Sequence, residues 1–175
     1  MKLIIVTGMP GTGKEEFLNV ATGMGIPFIR MGDVVRDAYA LRDASCGMSV
    51  GEFAEAERKR YGYDIWAKRS LERMGGSIFL VDGCRSVDEV NAFRSLTDDV
   101  TVIAVHSSPE TRYARLLKRN RSDAPASQKE FNERDEREMG WGLARAIALS
   151  DITIPNETTL DEFHKASRDV LEKMR

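Results

Sequence analysis

Cysteine and histidine are scarce in this chain of 175 residues, with two of each: Cys46 and Cys84, His106 and His164. The cysteines have no paired spacing, so neither a disulfide framework nor a zinc site is expected, and free thiols suit a reducing compartment. Neither histidine has a metal-ligating partner at useful spacing, and both are expected to be structural. Net charge is nearly absent as well. With 26 basic residues against 28 acidic ones the balance is -2, which excludes holding nucleic acid by bulk electrostatics. No apolar run approaches the roughly 18 residues of a membrane span, and the start lacks the charged, apolar, small-residue order of a secretory signal. A soluble, cytoplasmic protein with no nucleic-acid or membrane partner is the expectation. No repeat, low-complexity tract or linker divides the chain, so a single domain over residues 1–175 is expected, as a monomer or small homo-oligomer.

What is present is concentrated at the start. Lys2 to Val6 reads Lys-Leu-Ile-Ile-Val, a β-branched apolar run that predicts a buried strand. Thr-Gly-Met-Pro-Gly-Thr-Gly-Lys-Glu-Glu follows over residues 7–16, and then a helical pattern begins with Phe17 and Leu18. Gly8, Gly11 and Gly13 let backbone N–H groups converge on an anion, and the positive end of the next helix adds to the attraction. Gly8, Gly13 and Lys14 satisfy Gly-x-x-x-x-Gly-Lys, a phosphate loop whose lysine reaches the β and γ phosphates of a nucleotide. The Ser or Thr that ordinarily ligates Mg²⁺ next in such a loop is here Glu15.

Four further apolar runs read as strands: residues 26–29, 77–83, 100–106 and 152–154. Between them lie helix starts of capping-box form at Ser49–Glu52, Ser86–Glu89, Ser127–Glu130 and Thr159–Glu162. Asp64 is expected to cap a helix through Met74, and the helix opened by Ser127 is expected to reach about Leu149. Alternation of strand and helix predicts a parallel sheet covered on both faces, with ligands outside the carboxyl ends of the strands.

The candidate residues obey that rule. Asp33 and Arg36 follow the second strand, and Asp82 closes the third with Arg85 just beyond. An acid in the place of Asp82 is suited to ordering Mg²⁺, directly or through water, or else to capping the next helix or pairing with Arg85. Of the 26 basic residues 18 are arginine, which favours bidentate recognition of phosphate or carboxylate. Arg112, Arg115 and Arg119 recur at helical spacing, with Tyr113, Leu116 and Leu117 on the other face. An apolar face turned inward leaves the arginines outward, either solvated or lying over the phosphate loop. Arg121 and Asp123, then Arg134 and Arg137, extend the cluster around a loop that reads as a lid. Asn156, after the fifth strand, is placed to contact adenine or to make a turn.

With these pieces placed, the chain resembles the nucleoside-monophosphate kinase group of P-loop proteins. Gly8-Met9-Pro10-Gly11-Thr12-Gly13-Lys14 looks like the adenylate-kinase loop, which also lacks Ser or Thr directly after Lys; the residue after that is usually Thr and is here Glu16. Met31-Gly32-Asp33-Val34-Val35-Arg36 is similar to the segment whose Arg grips the acceptor monophosphate. Asp82-Gly83-Cys84-Arg85 looks like that family's Asp-Gly-Phe-Pro-Arg, one residue shorter, whose Arg binds the same phosphate. Arg115-Leu-Leu-Lys-Arg119 matches the approach to the lid, and Arg134-Asp135 the return from it. Over nearly its whole length the chain is similar to an archaeal family of adenylate-kinase-related proteins often labelled dephospho-CoA-kinase-like. That likeness rests on Met-Gly-Asp-Val-Val-Arg, Asp-Gly-x-Arg-Ser, Arg-Leu-Leu-Lys-Arg-x-Arg-Ser-Asp and Glu-Arg-Asp-Glu-Arg-Glu.

The resemblance implies a three-layer α/β P-loop kinase fold with a parallel five-stranded sheet, an acceptor-binding helical segment at about 31–76 and a small lid at about 119–137. It implies ATP and Mg²⁺ as cofactors and a small nucleotide such as AMP as phosphoryl acceptor. Dephospho-CoA as acceptor, or nucleotide binding without transfer, are the alternatives. The loop residues Gly8, Pro10, Gly11, Thr12, Gly13, Lys14, Glu15 and Glu16, with Arg119 and Asn156, would hold ATP. Gly32, Asp33, Arg36, Asp82, Gly83, Arg85 and Arg134 would hold the acceptor, Asp82 would order Mg²⁺ through water, and Lys14, Arg115, Arg119, Arg121 and Arg134 would stabilise the transfer.

Overall fold

Alternate side chains of the first strand are buried to opposite sides, which is what a strand covered by helices on both faces requires. In the computed structural model, which describes residues 1–42, 47–119 and 124–175, that strand is β1 (Lys2–Thr7), the centre of a five-stranded sheet. Its partners are β2 (Phe28–Arg30), β3 (Ile78–Asp82), β4 (Val100–His106) and β5 (Ile152–Pro155). All pairings are parallel, in the order β2-β3-β1-β4-β5. This is the α/β P-loop kinase fold expected from the sequence. Leu3 and Ile5 join Val81, Val102, Trp66 and Phe93 in one core. Ile4 and Val6 join Leu80, Ile103, Phe17 and Phe163 in the other.

Helices α1 (Lys14–Gly23) and α9 (Leu160–Glu172) cover the second core. The first lies under α2 (Met31–Ala40), α3 (Val50–Tyr61), α4 (Ile65–Leu71) and α5 (Val87–Arg94). α6 (Pro109–Lys118), α7 (Gln128–Gly140) and α8 (Leu143–Ala148) complete the described helices. Full capping boxes form at Ser49/Glu52 and Thr159/Glu162. At Ser86 and Ser127 the hydroxyl caps as expected, but the glutamates three residues on turn to the N–H groups of Arg85 and Ala126 instead.

Several boundaries differ from expectation. β2 starts after Pro27, which has no N–H to give the ladder. α4 stops at Leu71, and the Asp64 carboxylate does not cap it but pairs with Lys68 at 2.8 Å. The long helix expected up to about Leu149 is two helices, because Gly142 takes a left-handed φ of 101° at the start of α8. Gly142→Ala is therefore expected to lower stability by about 1–2 kcal/mol, read as a shift of the urea midpoint with unchanged slope.

The register places the end of every strand at one edge. Thr7 leads into the phosphate loop, Arg30 stands opposite Asp82, and His106 stands opposite Pro155. The segments after all five strands thus converge on one rim, where the site is built.

Candidate nucleotide-binding and phosphoryl-transfer site

The phosphate loop runs from Gly8 to Gly13 and feeds α1 directly. Gly13 has φ 100°, and a Cβ there would lie 2.3 Å from Asn156 Nδ2, so only glycine fits. Thr12 folds back, its hydroxyl donating to the Met9 carbonyl at 3.0 Å. Lys14 crosses the loop and donates from Nζ to the carbonyls of Gly8 (2.6 Å) and Met9 (3.2 Å). Burial lowers the Lys14 pKa; Asp82 and Glu138 pull it back up, and Arg85 and Arg134 push it further down.

Beside the loop opens a cavity of about 300 Å³. Its floor is the loop and Lys14, and its walls carry Asp82, Arg85, Arg115, Arg119 and Arg134. These side chains come from the end of β3 and the turn after it, from α6 and its C-cap, and from α7. Glu15, Glu16 and Gly83 also line it. The four arginines and Lys14 face the carboxylates of Glu15, Glu16, Asp82 and Glu138 across a space beside the backbone N–H groups of the loop, an arrangement suited to an anion.

Asp82 has a buried oxygen, Oδ1, with no hydrogen-bond partner. Burial raises its pKa, Lys14, Arg30 and Arg85 pull it down, and Glu15 pushes it up. Among the described residues no group of three His, Cys, Asp or Glu side chains gathers to hold a metal. A divalent ion here would rest on Asp82, whose orphaned oxygen fits that role, and on phosphates brought by the ligand.

Glu15, in the place of the usual hydroxyl, is paired with Arg30 at 2.5 Å, and the Arg30 guanidinium lies 4.8 Å from the Phe28 ring centroid. Sequence reasoning missed Arg30. Its signal was its position as the last residue of β2, next to Asp82 across the sheet. Glu16 pairs with His164 on α9 at 2.9 Å, which gives that histidine the structural place expected for it.

Arg115 donates to Ser107 Oγ at 2.9 Å and approaches Asn156 Oδ1 at 3.4 Å. Asn156 is buried behind the loop, with Nδ2 donating to the Thr12 carbonyl at 2.8 Å. Ser107, also missed from sequence, donates to the Asn156 carbonyl at 2.7 Å. The ends of β4 and β5 thereby hold the loop from behind.

The arginine stripe of α6 does face the loop, but not as an outward row. Arg112 is buried and bonded to Asp135, while Leu117 on the supposedly inward face is exposed. The reason is that an ion pair with both carboxylate oxygens makes a buried guanidinium tolerable. Arg85 donates from Nε to Glu138 at 2.7 Å. Asp33 and Arg36 are paired with each other on the exposed side of α2, and neither they nor Gly32 line the cavity. Arg121 and Asp123 lie outside the described residues, as does Cys46; Cys84 is a buried free thiol.

Comparison with known proteins agrees with this architecture. Residues 4–140 match the family described as AAA domain. The UPF0200 protein of Thermoplasma volcanium is 40% identical over 172 residues, covering 97% of this chain and 96% of that one. Its counterpart in Methanopyrus kandleri is 42% identical over 179 residues, covering 97% and 88%. Among solved structures, a gluconokinase from Sinorhizobium meliloti superposes with a TM-score of 0.64 at 16% identity, covering 99% of this chain and 93% of that one. A shikimate kinase from Aquifex aeolicus gives 0.57 at 16% identity, covering 98% and 96%. At such identities the likeness is one of fold, a kinase-like P-loop domain.

Proposed function

Because the chain belongs to the UPF0200 family and is built as a P-loop kinase-like domain, we propose that it is an ATP-dependent phosphotransferase with a small nucleotide acceptor, AMP first among them. The observation that carries this reading is the convergence of Lys14, Arg85, Arg115, Arg119 and Arg134 on the one cavity beside the phosphate loop. Phosphoryl transfer needs positioning and charge stabilisation rather than a protein nucleophile, and that is what these residues offer.

In this reading Lys14 leaves the Gly8 and Met9 carbonyls and holds the β and γ phosphates. Arg85 orients the acceptor phosphate, with Arg36 reaching in from α2 on closure. An oxygen of that phosphate attacks the γ phosphorus, the bond from that phosphorus to the β–γ bridging oxygen breaks, and the electron pair leaves with ADP. The attacking phosphate is already ionised, so no side chain has to take a proton. Arg115, Arg119 and Arg134 balance the charge on the transferred group. Mg²⁺, when bound, neutralises the polyphosphate. Asp82 would hold it, and Arg30 cancels the charge that Glu15 would otherwise set against the phosphates. The lid expected at about 119–137 lies partly outside the described residues.

A coupled ADP-release assay with AMP and, in parallel, dephospho-CoA tests this. Turnover with AMP is expected, and Arg85→Ala is expected to raise the KM for AMP about tenfold or more, the worth of one charge-assisted phosphate contact. Turnover with dephospho-CoA alone would overturn the choice of acceptor. Tight ATP binding with no transfer to any acceptor in a metabolite panel would overturn the enzyme reading and leave a nucleotide-binding regulator.

A further inference from the structure

The Arg112–Asp135 pair is not explained by the roles assigned above. Its two side chains are only 4% and 14% exposed. Arg112 Nη1 donates to Asp135 Oδ1 at 2.9 Å and Nη2 to Oδ2 at 2.5 Å, a planar fork on both carboxylate oxygens. The same guanidinium donates to the carbonyl of Pro10, inside the phosphate loop, at 3.1 Å. It also stacks 4.9 Å from the centroid of the buried Phe131 ring. α6 touches the loop closely here: a Cβ on Gly11 would lie 2.9 Å from the Arg112 carbonyl oxygen.

Asp135 is the neighbour of Arg134, which lines the transfer cavity. One turn further on, Glu138 holds Arg85 Nε at 2.7 Å. α7 is therefore fastened at two points just C-terminal to Arg134, by Asp135 through Arg112 to the phosphate loop and by Glu138 to the turn after β3. Desolvating an ion pair costs about as much as its Coulombic attraction returns, so what such a pair supplies is a fixed geometry.

We propose that Arg112 and Asp135 are positioning residues that tie the placement of Arg134 to the shape of the phosphate loop. A loop shaped around a polyphosphate then carries Arg134 to the transferred group through the Pro10 carbonyl, the Arg112 fork and the Asp135 carboxylate. The inference rests on the phosphotransferase reading for its kinetic consequence but not for the coupling itself.

A double-mutant cycle tests it with Asp135→Asn and Arg134→Ala, singly and together, in the full chain. The kcat, the KM for AMP and the calorimetric Kd for Mg-ATP are measured for each. Asp135→Asn is expected to lower kcat ten- to a hundredfold, the order of loss when a catalytic group moves by about 1 Å, with the KM for AMP within about twofold. In the Arg134→Ala background the same change is expected to cost less than about twofold further, because the group it positions is gone. Asp135→Glu, which keeps the fork's partner, is expected to recover part of the loss and stands in if Asp135→Asn does not fold.

Independent, multiplying losses would overturn the coupling, as would wild-type kcat in Asp135→Asn. If the wild-type protein transfers to no acceptor in that panel, the functional reading fails and the cycle is read on Mg-ATP affinity alone. There, sub-multiplicative losses support the coupling, while multiplying losses or unchanged affinity in every variant overturn it.

Discussion

Lys14→Ala is expected to lower phosphoryl transfer by about two to three orders of magnitude while the protein still folds. A preorganised charge at the reacting phosphates contributes about 3–4 kcal/mol of transition-state stabilisation in a water-poor site. At about 1.4 kcal/mol per decade that is a loss of two to three orders of magnitude in kcat. Folding should survive because the ammonium does not hold the core together. Its partners are two loop carbonyls, and burial already penalises its charged form. Truncation gives up those bonds and that penalty together. Coupled assay, Mg-ATP calorimetry and a thermal melt on the same preparation check the outcome. Turnover at the wild-type rate would remove Lys14 from the mechanism, and a collapsed melt would show that the loop depends on it structurally.

Asp82→Asn is expected to move activity and stability in opposite directions. Transfer falls by about a hundredfold or more, since ordering a divalent ion at the polyphosphate contributes several kcal/mol. Stability rises at neutral pH, because the amide carries no charge to desolvate where burial pushes the Asp82 carboxyl pKa up. The pH dependence follows from the raised folded-state pKa. Below the unfolded carboxyl value of about 3.9 the group is protonated in both states and costs nothing. As pH rises through the folded pKa the wild-type protein loses that stability, so the advantage of Asp82→Asn opens with rising pH and then levels off. Urea midpoints across that range test this, and a gap that closes toward neutral pH would contradict the assignment. A site that gives up stability for chemistry is the expected signature of a functional acid.

Much of the fold was legible because its signals are local. β4 could be bounded from an apolar run alone, and the hydroxyl caps of four helices from a Ser or Thr three residues ahead of the N–H it accepts. What escaped was what only distant chain segments decide. A helix period puts Arg112 on a polar face, but its surroundings are set by Asp135, 23 residues away, and by the Pro10 carbonyl, 102 residues back. Arg30 and Ser107 look like ordinary strand-end residues until the register sets one beside Asp82 and the other beside Asn156. The break between α7 and α8 depends on a left-handed glycine, which a helical pattern tolerates in sequence and tertiary packing then selects. Of the candidate site, the phosphate loop and the arginines of α6 and α7 were readable from spacing. The place of Arg36, turned outward toward Asp33, was not.

The bond from Asn156 to the Thr12 carbonyl has a consequence for synthesis. The loop leaves the ribosome 144 residues before the side chain that braces it. A nascent chain halted before β5 would possess every glycine of the loop and still lack its rear support. The rear support of the loop is thus acquired only once the segment after β5 is made, and a product shortened before it carries the motif without that brace.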